Sequence, residues 1–449
     1  MRSLLIVIVT ASLLFAASSH QPPATNHQPP TTGYQPPACI LSLAQAQDYA
    51  LQHSRDIAAT RIQIDKANAR IDEVLANYYP VVGAQLSSAY LSNVSVLALP
   101  LGPQGQMVVV PLSAHANYDA RLTLSQTLYS GGRVELGRQM AELARTFQED
   151  SLTLKAGNLT YDVHQAFNSV LLLQQLLELT RQSQQLAQDH LAVVDTLYQS
   201  GYVSRYDEVR TSVQVDNIAP QITRLENGIQ MALEAFKLTI GMPLNQDVEL
   251  QGKLEEPADS ISEEAALDSA LADRTELKML AEGVRLTQLN RSMTKANYLP
   301  AVGASAMYDL ERPAGIGGNG WGSNLTVALG LNYTLFDGMK TRAQLRQADY
   351  DLKTLALYGG LARDGIATQV KEAVTSIRTA QAAVTAARNT IDAAEEGVKL
   401  AEARYAEGHG TNLDVLDAQL ALFQAQVALL TAINDEDVAH ARLIEVMGK

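Results

Sequence analysis

The chain has 449 residues and a formal net charge of −14 at pH 7. Nucleic-acid binding draws on clustered lysine and arginine, and no basic patch of useful size occurs, so a nucleic-acid partner is excluded. Aromatic residues are only 5% of the chain, and its later part is dense in alanine, glutamine and leucine, a composition for helices rather than for a β-sandwich.

From the N-terminus, Met1-Arg2-Ser3, the apolar run Leu4 to Ala17 and the small pair Ser18-Ser19 read as an export signal over residues 1–19. The apolar run is too short to cross a bilayer as a helix. Residues 20–39 carry three Gln-Pro-Pro units, starting at Gln21, Gln28 and Gln35, and read as an extended linker. Cys39 is the only cysteine, so an intrachain disulfide is ruled out. It stands well beyond the apolar run rather than directly after it, so it is expected to be an unmodified linker residue and not a lipid attachment point.

Beyond the linker two periodicities alternate. Residues 41–78, 133–199, 206–241, 264–298, 339–406 and 412–447 read as helices, with Pro220 expected to kink its own. Helix 133–199 would reach roughly 100 Å at about 1.5 Å per residue, longer than any compact globular core requires. In the last helix Leu413, Leu416, Leu420, Phe423, Val427 and Leu430 form a coiled-coil seam with steps of three and four. Short breaks at Gly201 and Gly408 fold each long helix back on its successor as an antiparallel hairpin. Between the helices lie four alternating strands, at about 80–92, 116–129, 300–311 and 323–336. In the last, Leu325, Val327, Leu329, Leu331, Tyr333 and Leu335 share one face, opposite Asn324, Thr326, Ala328, Gly330, Asn332 and Thr334.

Each strand has the length a tilted strand needs to cross a bilayer, and Tyr78, Tyr79, Tyr129, Tyr298 and Phe336 stand at the strand ends like an interfacial girdle. A small half-buried sheet on a soluble protein is the other reading. If the strands do enter lipid, four cannot close a barrel, because their open edges would leave backbone groups unpaired. Three copies would supply twelve strands, an even number within the usual range.

The chain also repeats itself. Ala76-Asn77-Tyr78-Tyr79-Pro80-Val81-Val82-Gly83-Ala84 returns 220 positions later as Ala296-Asn297-Tyr298-Leu299-Pro300-Ala301-Val302-Gly303-Ala304. Thr127-Leu128-Tyr129-Ser130-Gly131 returns 207 positions later as Thr334-Leu335-Phe336-Asp337-Gly338, and Tyr198-x-x-Gly201-x-x-Ser204-x-x-Asp207 returns at the same offset as Tyr405-x-x-Gly408-x-x-Thr411-x-x-Asp414. A long unit has been duplicated. The first repeat spans 40–263, with a connector over 242–263, and the second spans 264–449. The offset changes in the loop between the paired strands: Asn93 to Ala116 is long and apolar, Arg312 to Gly322 short and glycine-rich. The longer loop is either a lid or a hairpin extension.

Ser204 with Asp207 and Thr411 with Asp414 fit capping boxes that open the second helix of each hairpin. Asp417 is not explained as a cap. His409 in the second turn reads as a solvated residue, none of the eight histidines forms an i,i+4 pair, and one cysteine cannot make a thiolate cluster, so no metal site is expected. No nucleophile arrangement or phosphate loop is found, so neither an enzyme nor a cofactor is expected.

Two copies of helix, strand, loop, strand and long helical hairpin, with the duplicated Tyr-x-x-Gly-x-x-[Ser/Thr]-x-x-Asp turn and the Phe336-Asp337-Gly338 junction, resemble the TolC-like outer-membrane efflux proteins from about Ile40 to the C-terminus. The resemblance implies a mixed α and β membrane protein. Long coiled-coil helices form a periplasmic α-barrel, and four transmembrane strands per protomer close a twelve-stranded barrel in a homotrimer. It implies a passive outer-membrane duct for small molecules, docked to a periplasmic adaptor and an inner-membrane transporter that supplies the energy. Asp414 and Asp417 are then expected to line the closed periplasmic end, with Asp207 and Tyr405 as further gate candidates. Gly201, Ser204, Gly408 and Thr411 would shape the turns, and Pro80, Gly131, Pro300 and Gly338 the junctions between strand and helix. Gly410 stands where some members carry an arginine that ties the hairpins together, so a latch of that kind is not expected. Opening would be an iris-like shift of the second hairpin, 339–447, relative to the first. The outer-membrane duct of a type I protein-secretion system has the same architecture and is the alternative, and a periplasmic structural coiled coil is the reading from another class.

Overall fold

The computed structural model describes residues 39–449 apart from 101–104, 106, 258–261 and 316–319. The expected export signal and all of the expected linker except Cys39 lie outside the described residues. Four long helices dominate: α3 (Arg133–Gln199), α4 (Arg205–Ile240), α7 (Lys340–Ala406) and α8 (Asn412–Val446). Helices α3 and α7 have 67 residues each, about 100 Å of helix. Each turns back into its partner within a few residues, through Gly201 or Gly408, both in the left-handed region at φ 79° and 75°. Glycine reaches that region without the steric cost a Cβ brings. Helix α4 continues through Pro220 as one element.

The two entry segments differ from expectation. Residues 41–78 are not one helix but α1 (Leu43–His53), α2 (Arg55–Leu75) and a closing 3-10 turn, and 264–298 divides likewise into α5 (Glu263–Asp273), α6 (Thr275–Lys295) and a 3-10 turn. The breaks fall at Ser54, with ψ 130°, and at Arg274, with ψ 119°. Neither has a glycine or proline to announce it. The cause is tertiary: the end of each returning hairpin sits against the break. A Cβ on Gly241 (φ 76°) would lie 2.6 Å from the carbonyl oxygen of His53, and one on Gly448 (φ 78°) would lie 3.2 Å from the nitrogen of Arg274. The two breaks are 220 positions apart and the two glycines 207, the same two offsets as the duplicated motifs. At the second break the buried Arg274 donates through Nη1 to the carbonyl of Val446 at 3.1 Å and to Gln369 Oε1 at 3.0 Å, which ties the end of α8 to the entry segment.

Each repeat carries its own apolar core. In the first, Ala46, Ala50, Val163, Phe167, Phe236 and Ile240 pack together, and in the second Ala266, Ala270, Val370, Val374, Leu443 and Val446 do so. Cys39 is not a linker residue. It begins β1 (Cys39–Leu41), which pairs in parallel with β6 (Val248–Leu250) of the connector. The ladder at β6 offers Cys39 the carbonyl of Asp247 at 3.0 Å, and Leu41 and Leu250 anchor the pair in the first core.

The long strands make one antiparallel sheet in the order β2 (Val81–Tyr90), β5 (Ala116–Tyr129), β7 (Ala301–Arg312), β8 (Gly322–Asn332). Each repeat contributes a hairpin, and the two join along β5 and β7. Strand β8 stops at Asn332 rather than at 336, because its last partner, Ala301, is the first residue of β7. The long loop between β2 and β5 holds a separate hairpin, β3 (Val96–Pro100) with β4 (Met107–Pro111). Pairing aligns Leu86 with Ala120, Leu122 with Tyr308, and Ala304 with Leu329. One face is therefore apolar across all four strands, and it is bare: Leu86 is 85% exposed, Val327 75% and Leu329 73%.

Gly241→Ala is expected to lower the thermal midpoint of the full-length protein more than Gly201→Ala. Both variants force an L-residue into the left-handed region, at about 1–2 kcal/mol. Only Gly241 also meets a neighbouring backbone, since nothing lies within 4 Å of a Cβ on Gly201. Equal shifts would remove the helix break from the account.

Candidate functional site

The hairpin tips combine capping chemistry with an inter-repeat contact. Both capping boxes form: the Ser204 and Thr411 side chains accept from the amides of Asp207 and Asp414, and each carboxylate accepts in return from the cap residue's amide, at 3.2 Å and 2.8 Å. The Thr411 amide, followed by its hydroxyl and the charge of Arg404, holds the Asp414 carboxyl below the usual range. Asp414 and Asp417 are exposed on the turn of α8 opposite the buried Val415 and Leu416. Gly410 packs tightly on Arg404 and donates its amide to the Arg404 carbonyl at 2.9 Å. The guanidinium at this tip belongs to Arg404, whose Nη2 reaches the carbonyl of His409 at 3.3 Å.

Below the turns, α3 and α4 of the first repeat meet α8 of the second through buried polar groups. His190 Nε2 lies 2.7 Å from Asn412 Oδ1, and Asn412 Nδ2 donates to Thr211 Oγ1 at 2.8 Å and to the carbonyl of Asp207 at 3.2 Å. All three side chains are buried, with Thr211 fully enclosed. Tyr405 stacks at a tilt on His190, with ring centroids 5.5 Å apart, and joins Val194 and Val415 in a small apolar cluster. Burial, then the charge of Asp207, pushes the Tyr405 phenol up. Its hydroxyl is buried, with no hydrogen-bond partner among the described residues, while the Asp207 carboxylate is taken by Ser204.

A second polar contact joins the repeats lower on the same helices. Asp437 Oδ2 on α8 meets His164 Nε2 at 2.9 Å and accepts from Asn168 Nδ2 at 2.5 Å. Burial alone would raise the Asp437 carboxyl. The hydrogen bonds from His164 and Asn168, with the charges of His164 and His440, outweigh it and hold the group below its ordinary value. The polar face of the sheet carries a third contact: Arg121 Nε lies 2.5 Å from Asp309 Oδ1, and its Nη2 lies 3.7 Å from Asp119. Where β5 enters α3, Glu135 is pulled down to about 2 by Arg138, Gln139 and Tyr78. Gly131 and Gly338 both take positive φ at the strand-to-helix junctions, and Pro80 and Pro300 immediately precede β2 and β7.

The family model for the outer membrane efflux protein matches residues 47–242 and again 266–449. The chain belongs to that family. Among its relatives, the outer membrane efflux protein BepC of Brucella suis is 23% identical over 73% of this chain and 71% of its own. The alkaline protease secretion protein AprF of Pseudomonas aeruginosa is 26% identical over 73% of this chain and 69% of its own. The outer membrane protein VceC of Vibrio cholerae shares the fold, with a TM-score of 0.73 at 17% identity over 90% of this chain and 96% of that one. As a member of the outer membrane efflux family the chain is an outer-membrane efflux channel, and family and fold are those of channel proteins rather than enzymes.

The residues that build the tip contact, His190, Thr211 and Asn412, are not singled out by motif reading. The only signal in the sequence is Asn412 at the first position of a helix whose seam is otherwise apolar. Nothing marks His190 beforehand.

Asp437→Asn tests the lower contact by pH. A carboxyl lowered in the folded state contributes stability that is fully present above its unfolded value of about 3.9 and is lost as pH falls through the lower folded value. The thermal midpoint of Asp437→Asn is thus expected below that of the parent from neutral pH down to about 4, with the difference closing at more acid pH. A difference that went on growing below about pH 4 would contradict the assignment.

Proposed function

We propose that the chain is the outer-membrane duct of a tripartite small-molecule export system. It assembles as a homotrimer, contacts outer-membrane lipid through the bare face of its sheet, and takes its cargo from a periplasmic adaptor and an inner-membrane transporter. The observation that carries this reading is the sheet itself: four antiparallel strands, apolar on one face and polar on the other, with free edges at β2 and β8. Three such sheets joined edge to edge satisfy every ladder and close twelve strands, with the charged pair of Arg121 and Asp309 turned inward. The helical hairpins continue the duct into the periplasm, and the export signal at 1–19 delivers the chain there.

At the periplasmic end, Asp414 and Asp417 of three copies place six carboxylates around one axis. Their field favours cations in the constriction. Solute moves when the tips dilate by a shift of the second hairpin relative to the first. Similarity to a protease secretion protein keeps the duct of a type I protein-secretion system as the second reading of the same architecture, and neighbouring genes for a solute pump or a secretion transporter distinguish the two.

Single-channel recording across a salt gradient tests the duct and its constriction together. The parent is expected to show discrete, cation-selective openings, and Asp414→Asn combined with Asp417→Asn to shift the reversal potential toward zero. A conducting double variant with unchanged selectivity would remove both carboxylates from the lumen.

A further inference from the structure

The tip contact between the repeats has a direction built into its hydrogen bonds. The carbonyl of Asp207 accepts only, and it already takes the Thr211 hydroxyl proton at 2.9 Å, which leaves Thr211 Oγ1 as an acceptor. Asn412 Nδ2 faces both of these oxygens, so its amide orientation is determined by its partners. Oδ1 must then face His190, and His190 Nε2 must carry a proton. One chain of donors runs from His190 through Asn412 and Thr211 to the Asp207 backbone, crossing from the first repeat to the second and back. Asn412 has a partner for its oxygen and two for its nitrogen, the Thr211 hydroxyl both donates and accepts, and His190, Thr211 and Asn412 are at most 7% exposed. A buried network of this kind fixes one geometry, because any displacement leaves desolvated groups unpaired.

Tyr405 lies beside this network and has the opposite character. It is 9% exposed, its ring packs on His190, and its hydroxyl is enclosed within a single protomer without a partner among the described residues. A neighbouring copy cannot reach an atom that its own chain already covers. A buried hydroxyl without a partner is costly where it stands and gains a partner when exposed to solvent.

We propose that His190, Asn412 and Thr211 are the positioning residues of the periplasmic gate, a clasp internal to each protomer that holds the acid-bearing start of α8 against the first hairpin, and that the Tyr405 hydroxyl opposes this clasp and favours opening. Asn412 precedes Asp414 by two positions on α8, so the clasp determines where the two carboxylates stand. His164, Asn168 and Asp437 join α3 to α8 again roughly 39 Å further along α3, at about 1.5 Å per residue, and stay joined as the pivot when the tip swings. The acids and the clasp therefore divide the work: the carboxylates select the ion and the clasp sets how often the tip is open.

The inference rests on the duct reading, and the recording that tests it separates the two. Open fraction and reversal potential are measured in planar bilayers for the full-length parent, His190→Leu, Asn412→Leu, His190→Gln, and Tyr405→Phe placed in the His190→Leu background. The leucine variants strand buried partners and are expected to raise the open fraction on the order of tenfold. His190→Gln keeps an N–H donor and is expected to stay near the parent. Adding Tyr405→Phe to His190→Leu removes the opposing hydroxyl and is expected to lower the open fraction again, and the reversal potential is expected to be the same throughout. Conducting channels in which both leucine variants open no more often than the parent would overturn the clasp and leave the duct standing. A rise on adding Tyr405→Phe would overturn the opposing role, since it would mean that the hydroxyl holds the closed state. His190→Gln behaving like His190→Leu would reduce His190 to a packing residue.

Discussion

Backbone groups that enter lipid must be paired, and the described residues of this chain leave two strand edges unpaired. Among the described residues its sheet ends at β2 on one side and β8 on the other, each with a free ladder, and nothing covers its apolar face. A soluble protein would cover that face with a helix, yet every long helix here lies beyond the strand ends and packs with another helix. The proposed duct answers both exposures at once: its edges close on other copies and its face meets hydrocarbon. The length of the helices suits the same proposal, in which a barrel rooted in one membrane needs a conduit to reach a transporter in another.

Duplication is what makes this economical. One hairpin of strands and one hairpin of helices, used twice, give both the sheet and the wall of the conduit. The repetition extends to details that carry no motif: Gly241 seats against Ser54 and Gly448 against Arg274, so each entry helix breaks where the end of its own hairpin returns. The copies are not equivalent, however. His164, His190 and Arg121 come from the first repeat and Asp437, Asn412 and Asp309 from the second, and among the described residues these three pairs have no duplicated counterpart. An interface built this way can move one half against the other without a symmetric alternative competing for the same partners.

Long elements were legible in the sequence because their signal is periodic and local. Helix 133–199, the alternation from Leu325 to Leu331, the capping boxes at Ser204 and Thr411 and the glycines at both turns each need only a short window. What stayed hidden depends on partners distant in the chain. Ser54 and Arg274 look like helix interior until the returning glycines are placed beside them. Cys39 looks like linker until β6 supplies a ladder. His190 and Asn412 are 222 positions apart, and no single-sequence pattern joins two such polar residues across that distance. At Gly410 the sequence points to a missing arginine, but only the packed turn shows that Arg404 supplies a guanidinium from the helix end.

The claim on which the rest depends is that the edges at β2 and β8 are closed by two further copies of the chain. Mass measurement of the detergent-solubilised protein extracted from membranes tests it most directly. The account requires a complex of three chains that resists dissociation under mild conditions. A monomer that remains in solution without detergent would contradict it, because such a protein would have to satisfy its sheet edges and cover its apolar face alone.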